Sequence, residues 1–311
     1  MIDVLTNVLP VFLMMGVGFV AKRLKIIGEG ADQMLISIVF SITFPCMIFN
    51  TIVPNRLTGE LIEDTIQVAI GAALYYFFGT VISYSLCRLI YRNDIESAGS
   101  AAFTATSLNS GFMGFPIALA IFGTKILYLM VIHNTVLVIY LFCFGSKVVS
   151  LGKKRSDGEK GGSIAKLLKS PNFIVTIVSI ILFLLQVKIP TFISTTTEYI
   201  GNATVPFSMI IVGASLANDK VAELFKDIRV VFTCLINNIL LPAVVFAVTL
   251  LLPISSGVRT CLVFAAAMPP AVAVMPIVAK EGGPTEVCTR IIALSTIFSV
   301  ATILIFASIL R

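Results

Sequence analysis

The stretch at residues 109–116, NSGFMGFP, decides the fold. It lies in an apolar run with no charged residue between Glu96 and Lys125, long enough for a membrane helix. Two glycines, an asparagine and a proline interrupt that run where the bilayer centre would fall. Proline removes a backbone donor and clashes with the preceding turn, and Gly111 and Gly114 weaken a helix further, so a broken span is predicted. Backbone left unpaired in lipid costs several kcal/mol, so a break at this depth has to be buried in protein or line a cavity.

Composition agrees with a membrane setting. The chain is 58% hydrophobic and 12% charged, with mean hydropathy +1.03, against about 25% charged residues in soluble domains. Ten apolar spans are predicted, at 4–21, 31–53, 65–90, 99–121, 126–149, 171–187, 198–217, 229–252, 258–279 and 288–310, each suited to a hydrocarbon core about 30 Å thick. The first carries Asp3 in place of a basic leader, and no small-residue cleavage site precedes KRLK at 22–25, so it is expected to be retained. Assigning alternate loops to opposite sides places 17 of the 22 Lys and Arg residues on one side, which the positive-inside rule makes cytoplasmic. Both termini are then expected outside a multi-pass protein of the cell (plasma or inner) membrane. The net charge of +6 belongs to loops beside lipid headgroups and not to a nucleic-acid site. Six cysteines without C-x-x-C spacing read as small buried hydrophobes; no disulfide framework, metal or cofactor is expected.

Pro10, Pro45 and Pro116 are followed by Pro171, Pro206 and Pro276 at offsets of 161, 161 and 160. The text around these anchors also agrees: TFPCMI at 43–48 answers TVPFSM at 204–209, and GFPIALAIFG at 114–123 answers VMPIVAKEGG at 274–283. The expected organisation is a first five-helix repeat at 1–149, a polar cytoplasmic linker at 150–170 and a second five-helix repeat at 171–311. Five is odd, so the second repeat is inverted, an arrangement common in secondary transporters.

In the second repeat the counterpart of the broken fourth span is the ninth, AAAMPPAVAVMP at 265–276. Counted from their membrane entries, both breaks fall roughly 15–18 Å deep at about 1.5 Å per residue. Each second half-helix begins there and offers a positive N-terminal end to an anion; the first half-helices end nearby with negative poles, and which poles face a ligand stays open. Uncharged polar residues at similar depth are Asn109, Ser107 and Thr106 at the first break, then His133, Asn134, Asn50 and Ser208, together with the buried amides Asn237 and Asn238 and with Ser295. All 16 acidic residues lie in loops or near span ends, which leaves no intramembrane carboxylate as proton carrier or sodium ligand. His133, the one histidine, reads as neutral and bonded to a neighbour.

NSGFMGFP at 109–116, PCMIF at 45–49, PFSMIIVGASLA at 206–217 and MPPAV at 268–272 resemble the auxin efflux carrier family along essentially the whole chain. The short central loop resembles prokaryotic members. The resemblance implies an all-α integral membrane fold of ten helices similar to bile acid sodium symporters. Spans 1, 2, 6 and 7 would be a scaffold, and spans 3–5 with 8–10 a mobile transport domain in which spans 4 and 9 cross at their breaks. Substrate would sit at that crossover and move by an elevator-like motion. Carried onto this chain, the crossover is Asn109 to Pro116 and Met268 to Pro276 with Asn134 facing it; together with the polar residues at similar depth, the expected substrate-binding set is Asn109, Ser110, Gly111, Gly114, Pro116, Asn134, His133, Asn50, Ser208, Met268, Pro269, Pro270 and Pro276. Two departures stand out: Pro269-Pro270 replace the asparagine that would mirror Asn109, and the acidic residue that sodium-binding relatives place in span 9 is missing.

The function expected from these readings is secondary transport of a small organic anion, auxin-like or a mono- or dicarboxylate, with export driven by the membrane potential as one mode. The alternative is a non-transporting receptor that binds a metabolite or lipid in the same pocket. No catalytic residues are assigned, and an enzyme is not expected. The expected partners are the substrate and the lipid bilayer, with a homodimer as an open option.

Overall fold

The computed structural model describes residues 2–28, 30–151, 167–217 and 225–310. Most of the predicted linker, 152–166, lies outside the described residues. All regular structure among the described residues is helical, with a single isolated backbone bridge between two loops.

The first part of the chain forms α1 (Ile2–Arg23), α2 (Ala31–Ile38), α3 (Phe44–Ile52), α4 (Gly59–Ile90), α5 (Ile95–Thr106), α6 (Phe115–Phe122) and α7 (Thr124–Val149). The remainder forms α8 (Pro171–Leu184), α9 (Thr191–Asn202), α10 (Thr204–Leu216), α11 (Ile228–Leu235), α12 (Leu241–Leu251), α13 (Ser256–Ala266), α14 (Met275–Lys280) and α15 (Thr285–Leu310). Several helices start earlier than the apolar runs suggest, because polar caps extend them. Thr58 accepts the amide of Leu61 and opens α4 at Gly59, six residues before the predicted span. Asp94 accepts the amide of Ser97 and opens α5 at Ile95. Such caps satisfy amides that a helix leaves without an internal partner.

Six stretches among the described residues are long and apolar enough to cross a bilayer: Gln33–Ile52, Gly59–Ile90, Thr124–Val149, Thr191–Leu216, Ile228–Leu251 and Thr285–Leu310. Their outward faces carry large apolar side chains. On α4, Ile66, Ile70, Leu74, Phe77, Phe78 and Val81 are exposed, whereas Tyr75, Tyr76, Gly79 and Ser83 are buried. Apolar surface on that scale would be costly in water and suits lipid, so the chain is a multi-pass membrane protein.

Four prolines shape the interior. Pro45, Pro116 and Pro242 each stand second in α3, α6 and α12, and each helix follows a widened π turn, at Val39–Thr43, Ser110–Gly114 and Ile236–Leu240. Pro276 stands second in α14 after the 3-10 turn Val272–Val274. The pyrrolidine ring pushes away the carbonyl four residues earlier, and the preceding turn relaxes out of α geometry. In the first and third cases helix resumes directly; at Ser110–Gly114 it is preceded by a true interruption after Thr106.

Helix α5 is the centre of the bundle, with every residue from Ser97 to Thr106 buried. Its small side chains allow close approach on all sides: a Cβ on Gly99 would lie 2.6 Å from the Val149 carbonyl oxygen. At one end of the bundle Lys125 meets Glu60 at 2.8 Å and Asp64 at 3.2 Å, and Ser255 donates to Asp64 at 2.7 Å. At the other, Ser150 donates to Glu281 at 3.3 Å. Helix α5 enters from the Ser150 end and α13 from the Asp64 end, so the two approach the middle in opposite directions.

Candidate functional site

The two interrupted segments meet each other. The Asn109 amide donates to the Pro269 carbonyl at 2.7 Å, and the Ala271 amide donates to the Ser107 carbonyl at 2.7 Å, which closes a short antiparallel bridge at Leu108 and Pro270. Helices α5 and α13 contribute 12 and 11 residues before this point, about 16–18 Å of rise at about 1.5 Å each. The bridge satisfies backbone that a lipid environment would leave unpaired. It also explains the double proline: Pro269 and Pro270 have no N–H to satisfy, and the carbonyl of Pro269 is the acceptor that Asn109 needs.

Asn237 fastens the same crossing from the side. Its Nδ2 donates to the Ala105 carbonyl at 2.8 Å and to the Met268 carbonyl at 3.4 Å, so one side chain holds the ends of both incoming half-helices. The neighbouring Asn238 donates to the Ser295 carbonyl at 2.8 Å. Both asparagines sit in the π turn before Pro242, where the widened backbone points consecutive side chains inward.

A cavity of about 360 Å³ opens beside the bridge. Asn109, Gly111, Asn134 and Pro276 line it, together with Asn172 and Lys280. Its wall is otherwise mostly apolar, with Phe40, Phe44, Phe112 and Leu137 among the contributors. Among the described residues of the lining, Lys280 is the single charged one and there is no carboxylate. The Lys280 side chain is half exposed, 4.0 Å from Glu281, so the cavity communicates with the surface at the Ser150 end.

The polar groups around the bridge are held in order. Ser110 donates to Asn134 Oδ1 at 2.9 Å, which turns the Asn134 carboxamide nitrogen away from Ser110. The Asn109 side chain makes no capping bond and has no hydrogen-bond partner among the described residues. From Ser110 onward the chain is helical through Phe122; the first bond closing that helix runs from Gly114 N–H to Asn109 C=O. The amides of Ser110, Gly111, Phe112 and Met113 precede it, and they make the positive end of a 13-residue helix. Gly111 and Phe112 bring that end to the cavity wall.

The remaining residues singled out in the sequence have other surroundings. Pro116 is buried six residues inside the helix and not at its start, which falls at Ser110. Gly114 packs between Met130 and Met268, where a Cβ would lie 2.8 Å from Met130 Cε and 3.4 Å from Met268 Cγ. Pro269 and Pro270 form the bridge and are not part of the cavity wall. His133 faces away from the cavity, toward the rings of Tyr75 and Tyr76 at 6.3 and 5.6 Å between centroids. Ser208 is fully buried in α10. Asn50 lines a different cavity, and its Oδ1 accepts from Thr197 at 2.9 Å. Lys280 and Asn172 were not singled out in the sequence. Lys280 is four residues after Pro276 and so shares its helix face, a signal present in VMPIVAK. Asn172 directly follows the repeat proline Pro171, and nothing in the local text sets it apart.

A multi-pass helical protein with two interrupted segments hydrogen-bonded at mid-depth, beside an apolar cavity with few polar groups, has the architecture of a membrane transport protein. The family model described as membrane transport protein matches residues 3–307. An uncharacterized transporter of Methanocaldococcus jannaschii is 27% identical over 308 residues, 97% of each chain. An uncharacterized transporter of Methanothermobacter thermautotrophicus is 26% identical over 218 residues, 68% of this chain and 67% of that one. The uncharacterized transporter YfdV of Escherichia coli K12 is 24% identical over 307 residues, 95% of this chain and 94% of that one. The chain belongs to the membrane transport protein family, the auxin efflux carrier family whose motifs it carries.

Proposed function

We propose that the protein is a secondary carrier for a small organic anion, with the carboxylate bound at the crossover. The observation that carries this reading is the pairing of the Asn109 carboxamide, without a hydrogen-bond partner among the described residues, with the start of the Ser110–Phe122 helix, in a cavity whose described lining has one cation and no carboxylate. Backbone amides at a helix start hold an anion without placing a buried positive side chain in the membrane. The apolar wall suits the hydrocarbon part of an auxin-like acid or of a mono- or dicarboxylate.

The architecture we propose is ten spans in two inverted repeats, with both termini outside the cell membrane. It is supported by the 17 of 22 basic residues on one side and by the near-equal proline offsets. Under that topology the cavity mouth at Lys280 is cytoplasmic. A scaffold built on spans 1, 2, 6 and 7 (α1, α2 with α3, α8, and α9 with α10) would stay fixed while the crossing segments carry the anion in an elevator-type cycle. The membrane potential, at about 2.3 kcal/mol per charge per 100 mV, favours export of an anion from a negative interior.

The test is flux. Purified protein in liposomes, given a panel of labelled carboxylates under imposed potentials, should show saturable transport of at least one of them that Asn109→Ala reduces. Absence of saturable flux for the whole panel, or flux indifferent to Asn109→Ala, would reject the assignment; a carboxylate that stabilises the protein and never crosses the vesicle would make it a receptor.

A further inference from the structure

A second cavity, of about 740 Å³, lies on the other side of the crossing segments, at the end of the molecule where Thr124 and Lys125 stand. The same two elements line both cavities. On the second span Phe40 and Phe44 face the crossover cavity, while Met47, Asn50 and Thr51 face the other. On the fourth, Gly111 and Phe112 face the crossover cavity, while Leu119 faces the other. From Phe44 to Met47 the second span rises only about 4.5 Å, and from Phe112 to Leu119 the fourth rises about 10 Å, at about 1.5 Å per residue. On the second span a thin layer of side chains separates the two spaces, and on the fourth the buried Phe115 stands in the stretch between them.

That layer is aromatic. The rings of Phe44 and Phe115 are stacked, with centroids 5.1 Å apart and planes 4° from parallel. Both are buried. Phe40 packs against Phe44 at 5.9 Å and edge-on against Phe112 at 4.8 Å, on the crossover side. A Cβ at Gly111 would lie 2.8 Å from Phe44 Cζ, so the glycine leaves the room that the ring occupies. Beyond the layer, Asn50 presents a buried Nδ2 that has no partner among the described residues, while its Oδ1 is held by Thr197.

We propose that the Phe44–Phe115 stack is the gate between the two halves of one permeation path, and that Asn50 is the first donor the carried anion meets beyond it. The purpose of the gate rests on the transport reading; its existence as a seal does not. Two parallel rings from different helices make few specific contacts and separate by sliding, and a carbon-lined constriction of this kind excludes water and ions while closed. Stacking across the boundary between the proposed scaffold and the crossing segments puts the seal where relative motion would break it.

The test measures passive leak and needs no knowledge of the substrate. Full-length protein is reconstituted into liposomes loaded with potassium nitrate, a potential is imposed with valinomycin, and nitrate efflux is followed with an electrode. Phe44→Ala and Phe115→Ala are expected to raise nitrate leak by about tenfold or more, and Phe44→Leu to stay near the wild-type level, because a branched aliphatic side chain still closes a dewetted constriction. Phe44→Val removes less volume and serves where Phe44→Ala yields no folded protein. Truncated variants that unfold at the wild-type temperature and leak no more nitrate than wild type would overturn the proposal. A wild type without carboxylate flux whose Phe44→Ala variant leaks would leave the seal standing and reject the carrier reading instead, so the two failures are distinct.

Discussion

The Nδ2 of Asn237 donates to the Ala105 carbonyl at 2.8 Å, and through its second contact to Met268 it ties the ends of two half-helices that arrive from opposite sides of the molecule. Neither carbonyl can reach water, since Ala105, Met268 and Asn237 are all fully buried. Replacing Asn237 by leucine leaves both acceptors short of a donor, at about 1–3 kcal/mol for each such buried group. Asn237→Leu should lower the thermal unfolding midpoint in detergent well below that of wild type. Asn237→Val, which also lacks a donor, should behave like the leucine variant, and an unchanged midpoint for both would show that the crossing does not depend on this side chain.

Asn109 presents the opposite case. Its backbone holds the bridge to Pro269, but its carboxamide has no partner among the described residues and faces the cavity. Asn109→Ala should therefore change stability by no more than about 0.5 kcal/mol, as expected of a side chain without structural contacts. It should weaken carboxylate transport by roughly tenfold to a hundredfold, the worth of a hydrogen bond to a charged group. Paired measurements of the unfolding midpoint and of KM in proteoliposomes separate these two effects.

The two interruptions were legible in the sequence because glycine and proline act locally: NSGFMGFP and AMPPAVAVMP break any helix that contains them. That the broken segments would bond to each other was not, since the Asn109–Pro269 and Ala271–Ser107 contacts join residues about half a chain apart. The same distance effect hid the division of labour among the asparagines. Asn50, Asn109, Asn134 and Asn237 look alike as buried amides, yet one meets Thr197, one meets open cavity, one meets Ser110 and one meets two carbonyls. The π turns before Pro45, Pro116 and Pro242 shift the helix phase, so side-chain directions counted at 3.6 residues per turn go astray after each of them.

Glycines in α1 and α10 give a contrast that can be measured directly. A Cβ on Gly18 would lie 2.1 Å from the Ile210 carbonyl oxygen, and one on Gly213 1.8 Å from that of Met15. These are backbone atoms and cannot swing aside, so α1 and α10 would have to separate. Gly16, one residue pair away, has open space around its Cα. Gly213→Ala should destabilise the protein by about 1–3 kcal/mol or more through overpacking, whereas Gly16→Ala should be neutral or stabilising by about 0.5–1 kcal/mol. Unfolding midpoints of the two variants side by side test whether the α1–α10 seam is rigid.

In the anion carrier proposed above, Lys280 is the charge at the cavity mouth among the described residues. It stands one turn beyond Pro276 on α14, half exposed at the mouth of a cavity whose other described lining residues are uncharged. Its neighbour Glu281 lies 4.0 Å away, too far to neutralise it by a close hydrogen-bonded pair, and accepts from Ser150 instead. Solvent at the mouth screens the interaction, so the attraction amounts to about 1 kcal/mol and its loss to roughly a fivefold rise in KM. Lys280→Gln should raise KM for a carboxylate by that amount at low salt and leave the maximal rate near wild type. Because the effect is electrostatic and exposed, raising ionic strength toward 1 M, where the screening length falls to about 3 Å, should bring the wild type to the KM of the variant. A Lys280→Gln protein with wild-type KM at low salt would remove Lys280 from the entry path.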